Sequence, residues 1–279
     1  MKRKQKSQKE ILRNLNCFNT IKIEKGINMT VYNRENYILT DSPLKKDLLR
    51  LFKRDSKMTI LDIGGCEGEE SLRYSRIFPL ATIFVFEPLP KNQKIVTENI
   101  EKYKSKIIQL IPMAVSDEDG NTEFYVSSGH PDPNSEYDWD FGNKSSSLLA
   151  PQETNNPSWL QFNEKIEVQT ITLDSFLAEN KINEIDFVHM DVQGAELKVL
   201  SGAKGFVKNI KAIWLEVADV EIYKGQPLRT DVEVIMNGNG FYLVKSEMHG
   251  ASGDQFYLNS RYFKTFSFFK NRIQFHIKK

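Results

Sequence analysis

With 27% charged and 40% hydrophobic residues, the 279-residue chain has the make-up of a globular protein, and no stretch approaches the roughly 20 apolar residues of a membrane-spanning helix. Its 38 basic and 37 acidic residues leave a formal net charge of +1, which removes the general electrostatic case for nucleic-acid binding. Two cysteines, Cys17 and Cys66, are too few and too far apart for a disulfide framework or a zinc site. The basic start is followed by polar sequence rather than an apolar signal core, so a cytoplasmic location with reduced thiols is expected.

In chain order, residues 1–57 form a basic extension in which Ser42-Pro43, followed by Leu44, Leu48, Leu49 and Phe52, predicts a capped amphipathic helix with Pro43 in its first turn. Residues 58–260 form the main domain. It opens with strand 59–63, helix 67–78, strand 81–87, helix 91–103 and strand 107–111. A short strand, 123–126, leads into the polar segment 127–161, which carries Pro131, Pro133, Pro151 and Pro157. That segment is too long for an ordinary connection and reads as an active-site loop or a partly disordered one. Strand 165–170, helix 173–179 and the nearly continuous apolar strand 185–190 follow. Helix 195–200, strand 212–217, helix 230–236 and strands 241–244 and 255–258 complete the domain. This alternation predicts an α/β fold with a mostly parallel sheet, helices on both faces and an antiparallel addition at one edge. The tail, 261–279, mixes phenylalanines with basic residues. It reads as packing on the domain or on a homodimer partner, with peripheral membrane contact as the alternative.

The chemistry concentrates where strands end. Asp62-Ile63-Gly64-Gly65-Cys66-Glu67-Gly68 runs from a buried strand through a glycine turn into a helix, presenting free backbone N–H groups, and Glu87 at the end of the next strand can grip a ribose diol. Together Asp62, Gly64, Gly68 and Glu87 predict a pocket for an adenosine-bearing cofactor. The glycines read G-G-x-x-G instead of the dinucleotide G-x-G-x-x-G, a variant similar to the S-adenosylmethionine site of class I methyltransferases. A nicotinamide-dependent oxidoreductase is therefore the rival enzyme, and a catalytically silent binding module the rival from another class. Cys66 has no base partner placed by sequence and reads as a turn residue.

Ser116 and Asp117 follow the third strand, where Asp117 could bond the adenine amino group or simply start a turn. Asp191, Glu196 and Glu216 are expected at the carboxyl edge of the sheet as catalytic carboxylates, taking a proton from an acceptor hydroxyl or orienting it. The alternative caps a helix with Asp191 and pairs Glu196 with a base. A divalent cation would suit such acids, but no His is spaced near them and no metal site is predicted. In the long loop, Tyr137, Trp139, Phe141 and Trp159 stand among Asp132, Glu136, Asp138 and Asp140, a mixture suited to a sugar ring. His130 and His249 read first as surface or supporting residues, with His249 the better candidate base.

These motifs resemble the FkbM-type methyltransferases. The resemblance rests on Leu61-Asp62-Ile63-Gly64, Val85-Phe86-Glu87-Pro88, Ala114-Val115-Ser116-Asp117, Thr172-Leu173-Asp174, Asp191-Val192-Gln193-Gly194-Ala195-Glu196, Leu200-Ser201-Gly202-Ala203 and Leu215-Glu216-Val217. It implies a class I (Rossmann-like) methyltransferase fold, S-adenosylmethionine as donor, and O-methylation of a hydroxyl on a saccharide, glycan or related small molecule. Two positions depart from the family pattern, Cys66 where Asn is usual and Gln193 where Glu is usual. The second casts doubt on a base or metal role for position 193.

Overall fold

The computed structural model describes residues 34–130 and 142–263. Its centre is β1 (Thr59–Ile63), which pairs in parallel with β2 (Thr82–Phe86) on one side and β7 (Ile185–Met190) on the other. With β3 (Ile108–Ile111), β8 (Ile210–Ala218), β9 (Phe241–His249) and β10 (Ser252–Asn259), these make a seven-stranded sheet in the order β3-β2-β1-β7-β8-β10-β9. Only β10 is reversed, running antiparallel to both neighbours. The tight β9–β10 hairpin, with Gly250 at φ 74°, inserts the returning strand inside β9, so that β9 itself runs parallel to β8.

Strand residues alternate between two cores, as the period of two requires. Leu61, Ile63, Val188, Met190, Ile213 and Leu215 face one core, which is covered by α5 (Leu173–Glu179), α6 (Glu196–Ser201) and α7 (Arg229–Gly238). Ile60, Ile83, Val85, Phe187, Ala212 and Trp214 face the other, beneath α3 (Glu69–Ile77), α4 (Pro90–Lys102) and the N-terminal helices α1 (Arg34–Leu39) and α2 (Lys45–Leu51).

The N-terminal segment differs from the expectation in two ways. A further helix, α1, precedes the expected one, and α2 opens only at Lys45, with Pro43 in the turn before it and the Leu44 N–H donating to Ser42 Oγ at 3.3 Å. Leu44 and Leu48 are buried whereas Leu49 is exposed. The α1–α2 connection is gripped by α3: Arg73 donates to the carbonyls of Thr40 and Asp41, and Arg76 to those of Ile38, Leu39 and Thr40.

A second sheet lies outside the alternation read from sequence. β4 (Ala114–Val115), β5 (Gly120–Ser128) and β6 (Gln161–Ile171) form it in the order β4-β6-β5. Both long strands bury only some of their positions, which suits an antiparallel pair with one wet face and not a strand covered on both sides. Between them, the described part of the long segment folds back: the 3-10 turn Gly142–Ser145 leads to a bridge between Ser147 and Tyr125, and Pro151 bridges to Tyr223. Tyr137, Trp139, Phe141, Asp132, Glu136, Asp138 and Asp140 lie outside the described residues, as does the tail beyond Phe263.

Candidate active site

Backbone geometry makes the turn after β1. Gly64 and Gly65 both donate their N–H groups to the Phe86 carbonyl, at 3.1 and 3.0 Å, tying the turn to the end of β2. Gly64 has φ 82°, and a Cβ there would stand 1.9 Å from the Asp191 carbonyl oxygen; at Gly65 it would stand 2.1 Å from Val85 Cγ2. The ends of β1, β2 and β7 can meet this closely only because those side chains are missing. Asp62 does not line the cleft beside Glu87 but faces the larger cavity beyond the turn. Its buried carboxylate accepts from Ser71 Oγ at 2.5 Å and from His189 Nδ1 at 3.0 Å, locking β1 to α3 and β7.

Glu87 sits at the rim of a cleft with about 510 Å³ of empty space, shared with Gly64, Phe86, Met113, Val115 and Asp191. Burial pushes the Glu87 carboxyl up to about 8, against hydrogen bonds from the N–H groups of Leu89 and Cys66 and from Asn92. Its Oε1 accepts from the Leu89 N–H at 2.8 Å. Cys66 lines the same cleft, and burial raises its thiol well above the ordinary range, which leaves it a turn residue without nucleophilic character.

Ser116 and Asp117 are not brought to this cleft. The pairing of β4 with β6 carries the chain away after Val115, with the Ser116 N–H on the Ile171 carbonyl. Asp117 accepts from Ser116 Oγ at 2.9 Å and pairs with Lys198 at 2.9 Å. These partners outweigh the opposing effect of burial and lower its pKa. Met113, Ala114 and Val115 line the cleft where those two were expected.

Of the three expected catalytic acids, only Asp191 faces the cavities. The residues after it form a tight turn, with Gln193 at φ 54° and Gly194 at φ 94°. Gln193 is a bridge: its Nε2 donates to Asp191 Oδ1 at 2.5 Å and to Glu216 Oε2 at 3.0 Å, while its Oε1 accepts from the Tyr223 hydroxyl at 2.9 Å. A glutamate there would add a third carboxylate, whereas the amide donates to both. Burial raises Asp191 and Glu216 alike, and the Asp191 charge pushes Glu216 further. Glu196 is buried beneath the turn, accepting from the Gly194 and Val192 N–H groups at 3.2 and 3.4 Å. It braces the loop and does not line either cavity.

A second, larger cavity, with about 1520 Å³ of empty space, opens on the far side of the glycine turn. It shares Gly64, Cys66, Lys144 and Asp191 with the first. Strands β7 to β10 supply His189, Trp214, Glu247, His249 and Asp254, and the N-terminal segment closes it with Tyr37, Ser42 and Pro43. His189 was missed in the sequence, where it sits inside an apolar run. Its only signal is parity: one residue before the strand end, it shares a face with Asp191 and lies directly beside Asp62 in the register. Burial lowers its pKa, but the hydrogen bond to Asp62 and the charges of Asp62, Glu70 and Asp191 more than reverse this, to about 9. Lys144, from the long loop, pairs with Glu69 at 2.8 Å between the two cavities. Among the described residues, no group of three or more His, Cys, Asp or Glu side chains is arranged to hold a metal ion.

The family model described as "Methyltransferase FkbM domain" matches residues 62–243, from Asp62 into the start of β9. The chain belongs to the FkbM methyltransferases. A relative in this comparison is 2-O-methyltransferase NoeI of Sinorhizobium fredii, 33% identical over 204 residues, 72% of this chain and 79% of that protein. Methyltransferase 1 of Beauveria bassiana is 27% identical over 146 residues, 51% of this chain and 57% of its own length. Among solved structures, magnesium protoporphyrin IX methyltransferase from Synechocystis, with bound S-adenosylmethionine, superposes with a TM-score of 0.46 at 11% identity over 84% of this chain and 93% of that one.

As an FkbM methyltransferase the protein uses S-adenosylmethionine as donor, which supplies an electrophilic methyl group on a sulfonium. The residues present fit that donor. Gly64 and Cys66 of the turn line the cleft, and Glu87 stands at it with the acceptor capacity a ribose diol requires. No described helix is long and apolar enough to cross a membrane.

Proposed function

We propose that the protein methylates a hydroxyl group of a saccharide, glycan or related small molecule, with the acceptor held in the larger cavity. The observation that carries this reading is the junction of the two cavities at Gly64 and Asp191, which puts a polar chamber next to the donor cleft. Trp214, Tyr37 and Tyr74 supply flat faces, while Asp254, Glu247 and His249 supply acceptors and a donor, the mixture that sugar rings require. The printed name of the relative NoeI, a 2-O-methyltransferase, supports the choice of oxygen as nucleophile. Within this proposal Glu87 binds the donor ribose, the turn 64–68 its amino-acid end, and Asp191 orients groups where donor and acceptor meet. A cytoplasmic location belongs to the same proposal, supported by a cysteine content suited to reduced thiols.

The test is transfer of labelled methyl from S-adenosylmethionine to a panel of mono- and oligosaccharides, with amines, carboxylic acids and thiols of similar size as controls. A methyl ether on a sugar, located by fragmentation mass spectrometry, is the expected product. Transfer only to nitrogen, carboxylate or sulfur, or to none of the panel despite donor binding, would reject the saccharide reading.

A further inference from the structure

The acids around the junction differ in what already occupies their oxygens. Asp191 and Glu216 are tied together through Gln193. Glu196 is spent on backbone N–H groups. Glu69 is paired with Lys144, Glu70 with Arg73 and Glu247 with Lys245. Asp254 is the exception. It lines the larger cavity, and its carboxylate has no hydrogen bond or ion pair with any described residue.

Its placement follows from the register. On β10, Asp254 stands opposite Glu216 of β8 on one side and Glu247 of β9 on the other. It projects from the sheet face that carries His189 and Trp214, at the edge where β1 and β7 end. The reversed strand begins where the parallel strands finish, so β10 delivers a side chain from its start to the rim of the site.

Resting on the proposed saccharide reading, we infer that Asp254 is the general base that takes the proton from the acceptor hydroxyl. As the acceptor oxygen bonds to the methyl carbon, its proton passes to Asp254, and the carbon–sulfur bond breaks with its electron pair left on sulfur. Carboxylate and sulfonium become carboxylic acid and neutral thioether, so charge balances within the cavity, and the proton later returns to water. The surroundings suit this task. Burial, followed by the Asp191 charge, pushes Asp254 up to about 7, with Glu247 and Glu70 adding to the rise and His189 opposing it. Tyr37 and Tyr74 from the helical side, His249 from β9, Asp62 and Cys66 from β1 and its turn, and Lys144 paired with Glu69 also face the cavity. A base poised near neutral pH combines ionisation with proton affinity.

The test compares the full wild-type chain with Asp254→Asn and Asp254→Glu. In the amide variant, turnover of a saccharide acceptor is expected to fall about 100-fold while donor affinity stays within about twofold. The acid limb of the wild-type kcat/KM profile near pH 7 should vanish with it, and the glutamate variant should recover part of the rate. Turnover within about threefold of wild type with the acid limb intact overturns the assignment. So does a parallel loss of donor affinity and thermal stability, which marks a merely structural residue. If wild type binds donor but methylates no saccharide, the acceptor class has failed, and the base is judged separately by carbon-13 NMR of labelled aspartate. A carboxyl resonance absent from Asp254→Asn and titrating near pH 7 supports it, and one titrating below about pH 5 overturns it.

Discussion

The cleft beside Glu87 and the chamber beyond Asp191 share a wall, yet they are built from different materials. Backbone shapes the inner wall of the first, where the glycine turn, its two N–H bonds to Phe86 and the ends of three strands come together. Side chains make the second, projecting in rows from β1, β7, β8, β10 and β9, with a roof from residues before β1. A site made of backbone depends on a few residue types that cannot be exchanged, and so binds one invariant ligand. A site made of side chains can change charge and shape without disturbing the sheet, which suits the variable partner of the reaction.

The sharpest way to break this contrast is Gly64→Ala. The added carbon meets a backbone carbonyl and the residue is held at φ 82°, so a loss of roughly 3–5 kcal/mol in stability is expected from strain and overpacking. Chemical unfolding measures it, and a loss below about 1 kcal/mol would show that the turn is not closed as described. Next in size is Glu87→Gln, which should weaken donor binding by roughly 1–3 kcal/mol while leaving acceptor KM unchanged.

The pH dependence of that binding has a definite sign. Because the Glu87 carboxyl is held up to about 8 and the charged form is the stronger acceptor, wild-type donor affinity should rise as pH increases through 8, and the Gln variant should lack this rise. The same carboxyl ionises more easily in the unfolded chain, so it costs the empty fold stability that begins to be lost near pH 4.5 and is lost in full above about 8. Calorimetric titration from pH 6 to 9 with both proteins reads the binding effect, and a flat wild-type profile would refute it.

His189 sharpens the comparison from the other side. Its pKa is raised from 6.5 to about 9, so its bond to Asp62 stabilises the fold fully below pH 6.5 and is lost as pH rises through 9. His189→Gln should cost about 1–2 kcal/mol at pH 6 and less at pH 9.5, seen as a difference in unfolding midpoint that shrinks with pH. The smallest effect is expected of Asp117→Ala. A partly exposed pair with Lys198 contributes less than about 1 kcal/mol, and donor affinity should hold within about twofold. A tenfold loss of donor affinity would place Asp117 at the adenine after all.

The elements most legible in the sequence were those with a strong local signal. Strands 59–63 and 185–190 and helix 173–179 match β1, β7 and α5 to the residue, because apolar runs and the Thr172 cap are encoded within a few positions. The side sheet was not read, since nothing in residues 120–128 or 161–171 says which strand each will pair with. In the candidate site, Gly64 and Glu87 are legible because a turn and the strand beside it are specified by neighbouring residues, whereas Gly68 lines neither cavity and packs against Val96 at the start of α3. Glu196 and Glu216 were grouped correctly by strand edge, but the direction in which their carboxylates point depends on Gln193 and on the turn at Gly194.

By itself the sequence determined the sheet-and-helix alternation, the glycine turn and the family, because each is a short-range pattern of residue type. The tertiary structure alone decided that His189 would stand against Asp62, that Asp117 would be held by Lys198, and that β10 would reverse between β8 and β9 and bring Asp254 to the chamber. Those outcomes rest on register between strands far apart in the chain, and the register is set by packing two cores at once.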